Sequence, residues 1–467
     1  MIRYRSTRGG ERGLGFEEVL LSGLARDGGL YVPERWPRWP RQELRALAGR
    51  DYAAAAAALL APFAEGCFER DELSALCREA YRGFAHPAVA PLIQIGPDEW
   101  LLELFHGPTL AFKDFALQLL GRLFDRLLAR RGEALTVIGA TSGDTGSAAL
   151  NALAGLRRIR AVILHPHERI SPLQRRQMTT LAASNVTNIA IRGTFDDCQA
   201  LVKAMFRDQR FRTRHRLAAV NSINWARIAA QIPYYVYAAL RLGAPERRIT
   251  FVVPTGNFGN IYAAYAAARI GLPLAGLVLA TNDNDILARF FASGRYERGS
   301  VRPTLSPSMD IQVASNFERL LFDLVGRDGH RVARLMESFA ATGRIAVPER
   351  VLARARAHFV SGRASEERTL DAIRRLYEEG GVIVDPHTAV GLAVARDLDA
   401  ELSRPLVHVA TAHPAKFEEA ILRAIGRRPP KPTALARLER LEERFLVLDN
   451  DLEAVKRAVA EAAEGRP

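Results

Sequence analysis

A chain of 467 residues with 48% hydrophobic content can bury roughly two to four domain-sized cores. No apolar run approaches the roughly 20 residues needed to cross a bilayer, and the charged start MIRYRSTRGGERG leads into no signal-like apolar stretch, so a cytoplasmic protein with no membrane partner is expected. The formal charge of +13 would suit a nucleic-acid binder, but the arginines are scattered through nearly every helical pattern, often beside glutamates as in LERLEER, and never interleave with aromatics; solvated helix faces and no nucleic-acid partner are the expectation.

In chain order, the turn-rich stretches GGERGLGF and DGGLYVP precede an alanine-rich helix around Ala53 to Leu60 and a second helix near Glu72 to Tyr81, predicting a mainly helical N-terminal domain over 1–92 that ends at HPAVAPL. From 93 the texture changes. Short apolar runs (LTVIGA, IRAVILH, VTNIAIRG, ITFVVPTG, LAGLVLAT, RPLVHVATA) alternate with longer amphipathic patterns, which predicts an α/β region over 93–426 built on doubly wound parallel sheets. Residues 313–378 read mainly helical. The proline-rich run at 427–432 reads as a linker, and the spacing of Leu435, Leu438, Leu441 and Phe445 predicts a helical C-terminal extension over 427–467.

Cys67, Cys77 and Cys198 have no C-x-x-C spacing and are read as free thiols. His165, His167 and Glu168 are read as part of a solvated turn after the strand RIRAVIL, with no metal expected there or elsewhere.

Lysine is scarce. Of 65 basic residues five are lysines (Lys113, Lys203, Lys416, Lys431 and Lys456). A guanidinium stays protonated, whereas a desolvated lysine amine can shed its proton and attack a carbonyl, so each surviving lysine is a candidate nucleophile. Lys431 lies in RRPPKP, Lys456 on a charged terminal helix and Lys203 on an amphipathic one; Lys113 alone stands out as embedded among apolar residues, in GPTLAFKDFALQLL.

In open α/β sheets ligands bind beyond the carboxyl ends of strands. After ITFVVP, the loop Thr255, Gly256, Asn257, Phe258, Gly259, Asn260 opens a helix; its glycines let backbone N–H groups approach an anion, and a phosphate smaller than a nucleotide chain fits better than a P-loop ligand, although an ordinary βα turn explains the residues equally well. After LTVIGA, Thr141, Ser142, Gly143, Asp144, Thr145, Gly146 and Ser147 form a second anion cradle, beyond what simple helix capping requires. After RPLVHVA, Thr411 presents a hydroxyl at a strand end. Beside a pyridine nitrogen such a hydroxyl would leave the ring unprotonated.

The segments HGPTLAFKDFALQLLG, GATSGDTGSAA, NSINWARIAAQIPYY, VPTGNFGN, SMDIQVASNFERLLF, DPHTAVG and TAHPAKFEEAI, with YRSTRG near the start, resemble the threonine synthases that carry an added N-terminal domain, over nearly the whole chain and in order. The resemblance implies pyridoxal 5'-phosphate (PLP) as cofactor and a tryptophan-synthase-β-like fold of two α/β subdomains, the smaller at about 114–218, with the active site between them. It makes Lys113 the Schiff-base lysine and general base, Gly256 to Asn260 the cofactor-phosphate loop, Thr411 the partner of the pyridine nitrogen, and Thr141 to Thr145 the substrate-gripping loop. Ser315 and Asn316, with Arg319, Asn224 and Arg227, are further substrate candidates, for which buried polar packing is an equal explanation. Asn260 departs from the aspartate that often ends this loop in the family. The implied reaction converts O-phospho-L-homoserine and water to L-threonine and phosphate; a related PLP lyase of the serine/threonine dehydratase or phospho-lyase kind, or a non-catalytic binder of phosphorylated metabolites, is the alternative. Monomer and homodimer remain equally open.

Overall fold

The strands form where β-branched and leucine side chains run together, and the helices where apolar residues recur at helical spacing. The computed structural model describes residues 1–141, 143–219 and 222–465. The chain divides into two units, the first made of Met1–Glu79, Phe84–His106 and Ser222–Pro429, the second of Ala80–Gly83, Gly107–Asn221 and Pro430–Pro467.

The first unit holds a six-stranded sheet in the order Phe359–Arg363, Leu274–Thr281, Ile249–Pro254, Leu406–Ala410, Glu99–Glu103 and Leu92–Gly96. All neighbours are parallel except the last pair, an antiparallel hairpin at one edge. Ile249–Pro254 is buried at every position, as a central parallel strand covered on both faces should be. The helix Pro386–Asp397 lays Ala389, Val390, Ala393 and Val394 against Val252 and Val278 of that sheet. Tyr4 Oη donates to the Phe63 carbonyl at 2.6 Å within the first 79 residues, and that stretch is bound to the rest of the unit at Glu318, which accepts from Thr7 Oγ1 at 2.6 Å and Arg8 Nη2 at 2.9 Å. Trp225, fully buried, packs between Tyr4 and Phe63.

The second unit is a five-stranded parallel sheet ordered Leu446–Asp449, Val186–Arg192, Ile159–Pro166, Leu135–Ala140 and Leu217–Ala219. Alternate residues of one strand feed opposite cores: Val137 packs with Leu150, Leu153 and Met178, its neighbour Ile138 with Cys198, Leu201 and Met205. A period of two with both faces apolar is what a doubly wound sheet demands.

The stretch 313–378 is mainly helical, as expected, with two strands set between its helices, Arg344–Ala346 and Phe359–Arg363, the second an edge of the main sheet. Two readings need correction. The C-terminal tail is helical only over Thr433–Leu438 and Leu452–Glu464; between them Leu446–Asp449 adds a parallel strand to the second unit, because LVLD is too short and too apolar to continue the preceding period. His165 is not on a solvated turn: the strand Ile159–Pro166 runs on through it and its ring is buried against Phe445, with burial lowering its pKa.

Candidate active site

In the second unit, Lys113 opens the 19-residue helix Lys113–Arg131, and its Nζ lies 3.8 Å from Asp144 Oδ2. Only 11% of the lysine side chain and 4% of the aspartate's remain exposed, so water screens this pair weakly. The turn leading into the helix is fixed by the next residue. Asp114, fully buried, accepts from Thr109 N and Thr109 Oγ1, each at 2.8 Å. Asp144 opens the helix Asp144–Leu153 that follows the strand Leu135–Ala140.

The helix Pro172–Thr179 reaches both sides of the lysine. Gln174 Nε2 donates to Asp144 Oδ1 at 3.1 Å, and one turn on Gln177 Nε2 donates to the Thr109 carbonyl at 3.0 Å. That helix is anchored in turn by the C-terminal segment: Glu443 receives a bidentate pair from Arg175 at 2.8 and 2.9 Å and a bond from Thr179 Oγ1 at 2.7 Å.

The serine- and threonine-rich loop is less uniform than its composition suggests. Thr141 is buried and its Oγ1 accepts from Gly143 N at 3.1 Å and Gly146 N at 3.0 Å, so it ties the loop together from within. Thr145 is exposed, and Ser142 lies outside the described residues. Gly143 is pressed against Gln174, whose Oε1 would stand 2.6 Å from any Cβ added there.

In the first unit, Thr255 to Asn260 joins the strand Ile249–Pro254 to the helix Gly259–Ile270. Phe258 takes the left-handed conformation (φ 63°), no side chain caps the helix, and so its leading N–H groups meet no acceptor from that source. Gly256 is indispensable: a Cβ there would stand 2.7 Å from the Ser308 carbonyl oxygen. Asn316 braces the loop from behind, its N and Nδ2 donating to the Asn257 carbonyl at 3.1 and 3.0 Å and Nδ2 also to Ser222 O at 3.1 Å. Ser315 beside it is half-buried. Asn260 Oδ1 accepts from Tyr234 Oη at 2.5 Å and Tyr235 Oη at 2.6 Å, which leaves its buried Nδ2 without a partner among the described residues. The loop therefore offers donors and no acid. Thr411 is buried at the end of the strand Leu406–Ala410.

Three family models cover most of the chain: threonine synthase N terminus at residues 3–81, pyridoxal-phosphate dependent enzyme at 89–358 and threonine synthase C-terminal at 388–459. A threonine synthase of Pseudomonas aeruginosa is 52% identical over the full length of both chains. The chain belongs to the threonine synthase family. Among solved structures, PLP-bound threonine synthase from Brucella melitensis superposes with a TM-score of 0.97 at 49% identity, covering 99% of this chain and 100% of that one; yeast threonine synthase gives 0.94 at 39% identity, covering 99% of each. As a family member the chain is a PLP-dependent lyase, and the donor-only loop fits a doubly charged phosphate.

Two of the further substrate candidates are held in buried polar contacts. Arg319 is completely buried with its guanidinium held by the carbonyls of Tyr31 and Ile223 and by Asn316. Asn224 caps a short helix and bonds Leu20 O at 2.8 Å. Lys113 is not the only shielded lysine either, since Lys416, on the short 3-10 turn Pro414–Lys416, is just 6% exposed. What distinguishes Lys113 is its pairing with Asp144 at the mouth of two helices. Gln174 and Gln177 escaped the sequence reading because SPLQRRQM looks like an ordinary polar helix; their three-residue spacing, one face of a helix, was the signal available.

Proposed function

We propose that the chain converts O-phospho-L-homoserine and water to L-threonine and phosphate, with Lys113 as the residue that holds the cofactor and moves protons. The observation that carries the reading is the shielded Lys113–Asp144 pair at the start of two helices, in a chain whose relatives are threonine synthases. Bound PLP supplies an electron-withdrawing ring that stabilises negative charge on the substrate carbons.

Gly256, Asn257, Phe258, Gly259 and Asn260 would hold the cofactor phosphate, through backbone N–H groups and the unpartnered Asn260 Nδ2. An asparagine in place of an acid suits that task, because it donates and adds no negative charge. Thr411 would face the pyridine nitrogen. Lys113 Nζ would take the proton from Cα and return protons later in the cycle; overall the Cγ–O bond to phosphate and one Cβ–H bond break, Cγ gains hydrogen and the water oxygen joins Cβ. Asp144 steadies Nζ and Gln174 steadies Asp144. The substrate's acidic groups would be gripped by the loop Thr141 to Thr145, chiefly through the exposed Thr145 at the helix start, with Ser142 and Ser315 as further hydroxyl donors.

The test is turnover of O-phospho-L-homoserine. Threonine and phosphate should appear in equal amounts, and Lys113→Ala should lower the rate by about 10³-fold or more. A product pool of 2-oxobutyrate alone would favour a dehydratase and contradict the reading.

A further inference from the structure

Asp385, with no exposed surface, sits at the N-cap of the helix Pro386–Asp397 in the first unit. A cap needs one bond from a side-chain oxygen to a helix N–H, and Asp385 Oδ1 makes it with His387 N at 3.0 Å. The carboxylate does more. Oδ1 also meets His387 Nδ1 at 2.7 Å, and Oδ2 accepts from the Thr388 hydroxyl.

Each partner passes the constraint on. Ser308 N–H, which can only donate, lies 3.2 Å from His387 Nε2, so that nitrogen is the acceptor and the ring proton sits on Nδ1 facing Asp385. Ser308 is the residue whose carbonyl abuts Gly256 in the glycine loop. On the other branch Thr388 Oγ1, having given its hydrogen to Asp385, accepts from Thr411 N at 3.3 Å. The ring of Phe417 stands edge-on to His387, at 4.9 Å between centroids, and closes off that side. One buried carboxylate thus orients, through two neighbours in D-P-H-T, both the wall of the glycine loop and the backbone of Thr411.

Resting on the assignment of Gly256 to Asn260 to the cofactor phosphate and Thr411 to the ring nitrogen, we propose that Asp385, His387 and Thr388 are positioning residues that set the two cofactor grips separately, His387 the phosphate and Thr388 the ring. A cap serving only helix stability would show no such division.

The test uses the full-length chain, freed of cofactor with hydroxylamine and titrated by visible absorbance with PLP and with pyridoxal, which lacks the phosphate. His387→Asn keeps a donor toward Asp385 but cannot reach Ser308; it should weaken PLP about tenfold, the effect of one lost hydrogen bond, and leave pyridoxal within about twofold. His387→Gln, whose amide oxygen falls near the position of Nε2, should restore most of the preference. Thr388→Val should leave the PLP-to-pyridoxal ratio as in the parent while lowering kcat several-fold at little changed KM. Equal weakening of both ligands by His387→Asn, no weakening, or a Thr388→Val effect on the ratio would overturn the proposal. If the parent chain itself binds pyridoxal as tightly as PLP, the phosphate-loop assignment fails and takes the proposal with it, a result distinct from the others because no variant is needed to see it.

Discussion

Gly107 lies so close to Asp114 that an added methyl would stand 2.5 Å from the aspartate's Cβ and Oδ2. Asp114 holds the turn into the lysine helix, so Gly107→Ala must displace either the carboxylate or the turn; a stability loss of about 1–3 kcal/mol in urea unfolding is expected, together with reduced turnover. Gln174→Leu removes the donor that steadies Asp144 in near isosteric fashion, and kcat should fall about tenfold while the melting temperature moves little; an unchanged kcat would mean that Asp144 orients itself unaided. At this scale the sequence was informative where residue type is scarce. Lys113 could be singled out because lysines are few, and the glycines because a side chain could not be accommodated. Thr141, by contrast, reads as a substrate group, and its hydroxyl oxygen also ties the loop together from within, a contact that composition alone does not reveal.

Elements were legible when their pattern was periodic and long enough to be unambiguous. All six apolar runs taken as strands are strands, but Phe359–Arg363 and Leu446–Asp449 are short pieces whose pairing partners lie far away in sequence, at Leu277 and Ile189, and local pattern carries no record of such partners. The tail is held by its last helix, whose Val455 and Val459 are fully buried against Leu201 and Met205. Val455→Ala should cost about 2 kcal/mol, read from the shift in denaturation midpoint. The turn after the strand Leu406–Ala410 carries a pH dependence. Burial, with a smaller contribution from the nearby charge of His106, lowers the His413 pKa to about 4, and Ala415 N–H donates to its Nδ1 at 3.1 Å. Below pH 6.5 the unfolded chain binds a proton that the folded turn refuses, so this residue's contribution to stability is lost as pH falls from 6.5 to 4, by about 3 kcal/mol at most. His413→Asn keeps an acceptor for Ala415 and removes the titration; its stability should fall less than the parent's between pH 7 and pH 4.5, and parallel losses would contradict the assignment.

Across the whole molecule, the second unit is built from three separate stretches of chain, with 80–83 and 107–221 joined by the C-terminal segment from 430 onward. Such a unit cannot be read from a linear change of texture, although the fold class could, because strand and helix alternate throughout its longer part. Nor is the helix Pro172–Thr179 independent of that C-terminal segment, since Glu443 pins it at Arg175 and Thr179. Every functional assignment nonetheless depends on one side chain being the covalent anchor of the cofactor. Borohydride reduction of the intact protein followed by peptide mass mapping tests this directly: a pyridoxyl group on the peptide containing Lys113 is the predicted result. Its recovery on the buried Lys416, or on no peptide at all, would contradict the account.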